Sequence, residues 1–172
     1  MRLVRIATAV SLLIFMAVAV LFISGRLIIN VTPSVPVGLW WVIGEMDRPF
    51  AKGDYVVVDV AYFSNFEAYA DFPFMLNSHG ARIPYLKRVS AIGGDVITSD
   101  GYGISVNGVL IKHSQILTQS SSERILTAFP LPLKLEDNQL WLMSHKERGF
   151  DSRYLGPVNA IHCRLATPII VF

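Results

Sequence analysis

The chain has 172 residues, a formal net charge of +2 and charged residues at only 16%, with a mean hydropathy of +0.47. That length suits one domain, with an appendage, that buries a real core. So small a charge, with no Lys/Arg cluster beyond pairs such as Lys87-Arg88, gives no footing for a nucleic-acid groove, and no nucleic-acid partner is expected.

From Ile6 to Gly25 run 20 residues without a charge, bracketed by Arg5 and Arg26. As a helix rising about 1.5 Å per residue, the run spans roughly the 30 Å hydrocarbon core of a bilayer. Ala17-Val18-Ala19 has the small-x-small form of a signal-peptide cleavage site. It lies inside the run, and the run exceeds the usual apolar length of about 7–15 residues in such peptides, so a retained anchor is the expectation. Arg2 and Arg5 precede the span, and the positive-inside rule places the N-terminus in the cytoplasm and everything after Arg26 on the far side. The chain then divides into a cytoplasmic tip with its anchor, 1–29, and a domain over 30–172.

Directly after the anchor comes Asn-Val-Thr-Pro-Ser-Val-Pro-Val-Gly-Leu-Trp-Trp, residues 30–41. Pro33 and Pro36 fix their own backbone and push Thr32 and Val35 into extended forms, so this is a stiff, non-helical segment. Stiffness suits a presented Ser34, and it equally suits a linker. Beyond it the signals are those of β structure. The β-branched run Asp54 to Val60 follows a Lys52-Gly53 turn and reads as a buried strand. Asn107-Gly108 between Ile104-Ser105-Val106 and Val109-Leu110-Ile111 predicts a type I′ hairpin, because both turn residues tolerate positive φ. Leu140 to Met143 and Ile169 to Phe172 read as further strands. The body is therefore expected to be mainly β, a small coiled sheet or barrel. One segment departs from that pattern: Tyr62, Phe63, Phe66, Tyr69 and Ala70 fall on one face of a short helix that Pro73 would end. With Phe72, Phe74, Met75 and Leu76 it forms an aromatic stretch, expected either to pack over the sheet or to dip toward the bilayer interface.

The four histidines, His79, His113, His145 and His162, lack the spacing of a metal site, and neither a metal nor a cofactor is expected. The lone Cys163 cannot form an intrachain disulfide and reads as buried packing. No Gly-x-Ser-x-Gly elbow occurs, which removes the α/β-hydrolase arrangement of a serine nucleophile. Serine chemistry with a lysine base remains, since burial disfavours the charged amine and leaves it able to accept a proton. Lys87 lies in Pro84-Tyr85-Leu86-Lys87-Arg88-Val89-Ser90-Ala91-Ile92-Gly93-Gly94-Asp95. As a strand this puts Tyr85, Lys87 and Val89 on one face and Leu86 and Arg88 on the other. If Tyr85 and Val89 face inward, so does Lys87; a surface lysine on an edge strand is the competing reading.

Ser34 in T-P-S-V-P-V-G-L-W, Lys87 in L-K-R-V-S-A-I-G-G-D, the V-N-G hairpin and F-D-S-R-Y-L-G-P-V over 150–158 occur in the order found in signal peptidase I-type serine proteases. The sequence most resembles the conjugative transfer branch of that family, the TraF-type peptidases. The resemblance implies a signal peptidase/LexA-like coiled β-sheet domain after one transmembrane helix, sited on the periplasmic face of a bacterial inner membrane. It implies Ser34 as nucleophile and Lys87 as general base. Thr32, with the Ser34 backbone N–H, is implied as the oxyanion hole. Asp151, Ser152 and Arg153 are implied as supporting residues, and an exported pilin or preprotein as substrate. Ala91 and Gly93 depart from the usual K-R-V-x-G-x-P-G-D form. Gly149 stands where such enzymes often carry a serine that orients the lysine, so Ser144, Ser152 or a water would take that place. A general signal peptidase, a self-cleaving LexA-like protein and a non-catalytic scaffold of a pilus or secretion complex are the rival readings.

Overall fold

The structure is a computed structural model, and it describes residues 1–44, 48–72 and 84–172. Helix α1, Arg2–Ile23, buries none of its residues and is long and apolar enough to cross a membrane, as an anchor or a signal sequence would be. Strand β1, Leu27–Asn30, follows almost at once and turns through the Ser34 segment into β2, Gly38–Val42. Then come β3, Tyr55–Asp59, β4, Pro84–Ile92, β5, Val96–Asp100, β6, Gly103–Val106, β7, Val109–Leu110, and β8, Leu133–Lys134. The chain ends with β9, Gln139–Met143, the short helix α2, Ser152–Leu155, β10, Val158–Asn159, and β11, Arg164–Val171.

Seven strands form one antiparallel sheet in the order β1-β2-β11-β3-β4-β9-β10, and four form a second in the order β7-β6-β5-β8. The fold is thus mainly β, as the sequence predicts. The central strands β3 and β4 are covered on both faces. Val56, Val58, Tyr85 and Val89 join Phe63, Tyr69, Phe72, Leu142 and Leu155 in one core, while Val57 and Leu86 join Trp40, Val42 and Ala166 in another. Period-two alternation assigns each residue to its side. A third cluster, with Ala91, Ile97, Ile104 and Trp141, joins the two sheets. Asn107 and Gly108 take φ of 51° and 80°, the predicted hairpin turn. Asp95, from the Lys87 motif, ties that turn to the end of β4, accepting from Ile92 N, Lys52 Nζ and Asn107 Nδ2 at 2.7–2.9 Å.

The expected short helix after Tyr62 is absent. Instead there are two 3₁₀ turns, Val60–Tyr62 and Phe66–Tyr69. Between them the amides of Ser64 and Asn65 donate to Pro157 O and Leu155 O, which takes the chain off any helical path. Phe63, Tyr69 and Phe72 are core residues, whereas Tyr62 is exposed and stacks on His162 at 3.9 Å. Phe74, Met75, Leu76 and His79 lie outside the described residues. Cys163 is buried, and burial pushes its thiol up to about 12, so it is inert packing at neutral pH.

The two departures in the Lys87 motif have local reasons. Ala91 is fully buried against the third cluster at a register shift between β4 and β9. A Cβ at Gly93 would lie 2.4 Å from the backbone oxygen of Asp137. Gly93→Ala is therefore expected to overpack this crossing and to destabilise the detergent-solubilised protein by about 1–3 kcal/mol, read as a lowered denaturant midpoint. An unchanged midpoint would mean that the Asp137 loop yields freely.

Candidate active site

The Ser34 loop is built around one buried side chain. Asn30, the last residue of β1, directs Nδ2 at the carbonyls of Thr32, Val35 and Pro36, at 2.8, 3.2 and 3.0 Å. Its Oδ1 accepts from Thr32 N at 3.2 Å and from Thr32 Oγ1 at 2.8 Å. Val35 is buried beneath the loop and Trp40 Nε1 donates to Pro36 O, so the prolines supply stiffness and Asn30 supplies the shape. Ser34 Oγ lies 3.0 Å from Thr32 Oγ1. The Ser34 backbone N–H has no hydrogen-bond partner among the described residues, which leaves it available to a ligand oxygen.

The Ser34 carbonyl is held from across the cleft. It accepts from His145 N at 2.7 Å and from Ser144 Oγ at 3.2 Å. That segment is itself fixed by the 150–158 box. Asp151 and Arg153 are fully buried and joined at 2.9 Å. Asp151 also accepts from Ser144 N at 2.9 Å, and Arg153 donates to the carbonyls of Gln115, Lys146, Glu147 and Gly149. Burial opposes the Arg153 charge, but Asp151 outweighs it and holds the guanidinium above its ordinary range.

Lys87 on β4 is only 6% exposed. Its Nζ sits 4.6 Å from the centre of the Tyr85 ring and has no hydrogen-bond partner among the described residues. Burial lowers its pKa to about 8; the Asp151 carboxylate works against that shift and Arg153 adds to it. Lys87, Thr32, Ser34 and Ser144 all line one cleft of about 960 Å³. Phe22, at the end of α1, and Leu27 to Asn30 form another part of its wall, so the cleft lies next to the exit of the apolar helix. No hydrogen bond joins Ser34 to Lys87 in this structure. The serine's only side-chain partner among the described residues is Thr32.

Of the supporting residues, Ser152 accepts from Leu142 N at 2.9 Å and so ties α2 to β9. Neither Ser152 nor Ser144 hydrogen-bonds Lys87. Gly149 leaves room for Ser144: a Cβ there would lie 2.1 Å from Ser144 Cβ. Asn30 and His145 escaped the sequence reading. The only sequence signal for Asn30 is an Asn two residues before a hydroxyl residue in a proline-rich turn, the setting of an Asx turn. His145 acts through its backbone, for which residue type carries no signal.

Comparison with known proteins agrees with this architecture. The model of the family described as signal peptidase, peptidase S26, matches residues 1–166. The chain is similar to a plasmid transfer protein TraF of Escherichia coli, 34% identical over 76% of this chain and 75% of that protein. It is also similar to the conjugal transfer protein TraF of Agrobacterium fabrum, 31% identical over 92% of this chain and 94% of that one. A probable conjugal transfer protein TraF of Sinorhizobium fredii is 29% identical over 77% of this chain. With almost its whole length matched, the chain belongs to the signal peptidase S26 family, in a group with TraF-type transfer proteins.

Proposed function

We propose that the protein is a membrane-bound serine endopeptidase that cleaves an exported precursor, with Ser34 as nucleophile and Lys87 as general base. The observation that supports this most is a buried lysine of lowered pKa lining the same cleft as a serine whose own loop is rigidly held. A lysine in water is almost wholly protonated at neutral pH and cannot accept a proton. At about 8, roughly a tenth of Lys87 is neutral at pH 7, enough to act as base.

In this reading the neutral Lys87 amine takes the Ser34 proton as Oγ attacks the peptide carbonyl. The oxyanion is met by the Ser34 N–H and the Thr32 hydroxyl. The protonated amine then gives its proton to the leaving nitrogen. Lys87, neutral again, activates the water that releases the acyl group. Asp151 and Arg153 act only by fixing the Ser144-His145 segment. The nine residues from Arg26 to Ser34 reach at most about 30 Å, so with α1 in the bilayer cleavage falls near the membrane surface. The N-terminus is then cytoplasmic and the domain periplasmic. The transfer proteins to which the chain is similar favour a precursor used in conjugation, a pilin foremost.

Ser34→Ala and Lys87→Ala are expected to abolish precursor cleavage while leaving the protein folded and in the membrane fraction. Lys87→Arg is expected to be equally inactive, because a guanidinium stays protonated. Full processing by Lys87→Ala, followed on a gel, would remove the dyad. The pH profile gives a separate check. The base works only when neutral, so kcat/KM should fall about tenfold per pH unit below about 8 and level off above it. A limb near the ordinary lysine value, or no limb at all, would contradict the assignment of Lys87.

A further inference from the structure

The hydrogen bonds of the Ser34 loop settle which way its protons point. Carbonyl oxygens only accept, so the Asn30 atom that faces three of them must be the amide nitrogen. The other atom faces the Thr32 N–H, which only donates, and must be the amide oxygen. Thr32 Oγ1, 2.8 Å from that oxygen, therefore donates its single proton to Asn30. The remaining contact, 3.0 Å between Thr32 Oγ1 and Ser34 Oγ, can then be made only by the Ser34 proton, with Thr32 as acceptor.

We infer that Asn30 is a positioning residue of this site, acting through the Thr32 hydroxyl. It makes Thr32 the acceptor of the resting Ser34 proton and keeps the Thr32 proton in reserve for the oxyanion. This deepens the proposed function and rests on it. At rest the chain of donors runs from Ser34 to Thr32 to Asn30, and the nucleophile is held still without touching Lys87. When the Ser34 proton passes to Lys87 Nζ, Oγ bonds the substrate carbonyl carbon and the carbonyl π pair moves onto its oxygen. The Thr32 hydroxyl has then lost its incoming bond. It swings its own proton from Asn30 Oδ1 to the oxyanion, while Asn30 Oδ1 keeps the Thr32 N–H. One hydroxyl thus serves the ground state as acceptor and the transition state as donor, an interaction gained only on the way to reaction. Asn30 is 8% exposed and touches no reacting atom, so its effect must pass through Thr32.

A double-mutant cycle on the full-length protein tests this, with a precursor peptide as substrate and Asn30→Leu, Thr32→Val and their combination as variants. Each single change should lower kcat by about a hundredfold and leave KM within about twofold. Because both remove one shared device, the double variant should lose no more than about threefold beyond the worse single variant. Multiplied losses, or a change confined to KM, would overturn the inference and show Asn30 to be only a loop former. Should Asn30→Leu not fold, Asn30→Gln keeps both an acceptor for the Thr32 hydroxyl and an amide donor for the facing carbonyls, and is expected to retain at least about a tenth of kcat. A loss as large as that of Thr32→Val would then overturn it. Ser34→Ala is run alongside: cleavage by that variant removes the nucleophile assignment itself, whereas a wild-type kcat in Asn30→Leu removes only the role of Asn30.

Discussion

The buried pair of Asp151 and Arg153 is the interaction on which the site depends. Neither residue reaches solvent, and between them they satisfy the Gln115 carbonyl together with the Ser144 amide and three backbone carbonyls of the 144–149 segment, which has no regular structure. That segment would otherwise bury polar backbone without partners, which is costly. Removing one member would leave an uncompensated charge at the centre, a loss of about 3–5 kcal/mol in comparable cases. The pair earns its place by geometry: Ser144 and His145, fixed by it, hold the carbonyl of Ser34.

The same two charges act on Lys87 in opposite directions, Asp151 raising and Arg153 lowering its pKa. Burial is the larger effect and decides the sign. The ring of Tyr85, two residues earlier on the same strand face, lies against the amine, and an aromatic face attracts the charged form, so it too works against the lowering by burial. No serine side chain orients the amine from position 149, where the chain has glycine and Ser144 fills the space.

How much of this was legible in the sequence follows the range of the forces involved. The strand at Tyr55–Asp59, the Asn107-Gly108 hairpin and the apolar helix are set by local pattern, and all were readable. Period two put Lys87 on the face of Tyr85 and Val89, and all three are buried. The aromatic spacing after Tyr62 misled, because apolar period alone cannot foresee that Ser64 and Asn65 would bond to the 155–157 segment. Asn30 and His145 were missed for a related reason: one works by a side-chain web inside a turn, the other through a main-chain amide. The roles assigned to Ser34, Thr32 and Lys87 came from resemblance, not from spacing. What the structure adds is a shared cleft and a cause for the lowered pKa of Lys87.

The chemistry therefore reduces to whether Ser34 becomes covalently acylated and whether Lys87 is what makes it reactive. The most direct measurement treats the full-length protein with an activated acyl ester and locates the added mass by peptide mapping. The account predicts one acyl group on Ser34 in the wild type and none in a folded Lys87→Ala variant. Acylation at another residue, or an equal rate at Ser34 without Lys87, would contradict it.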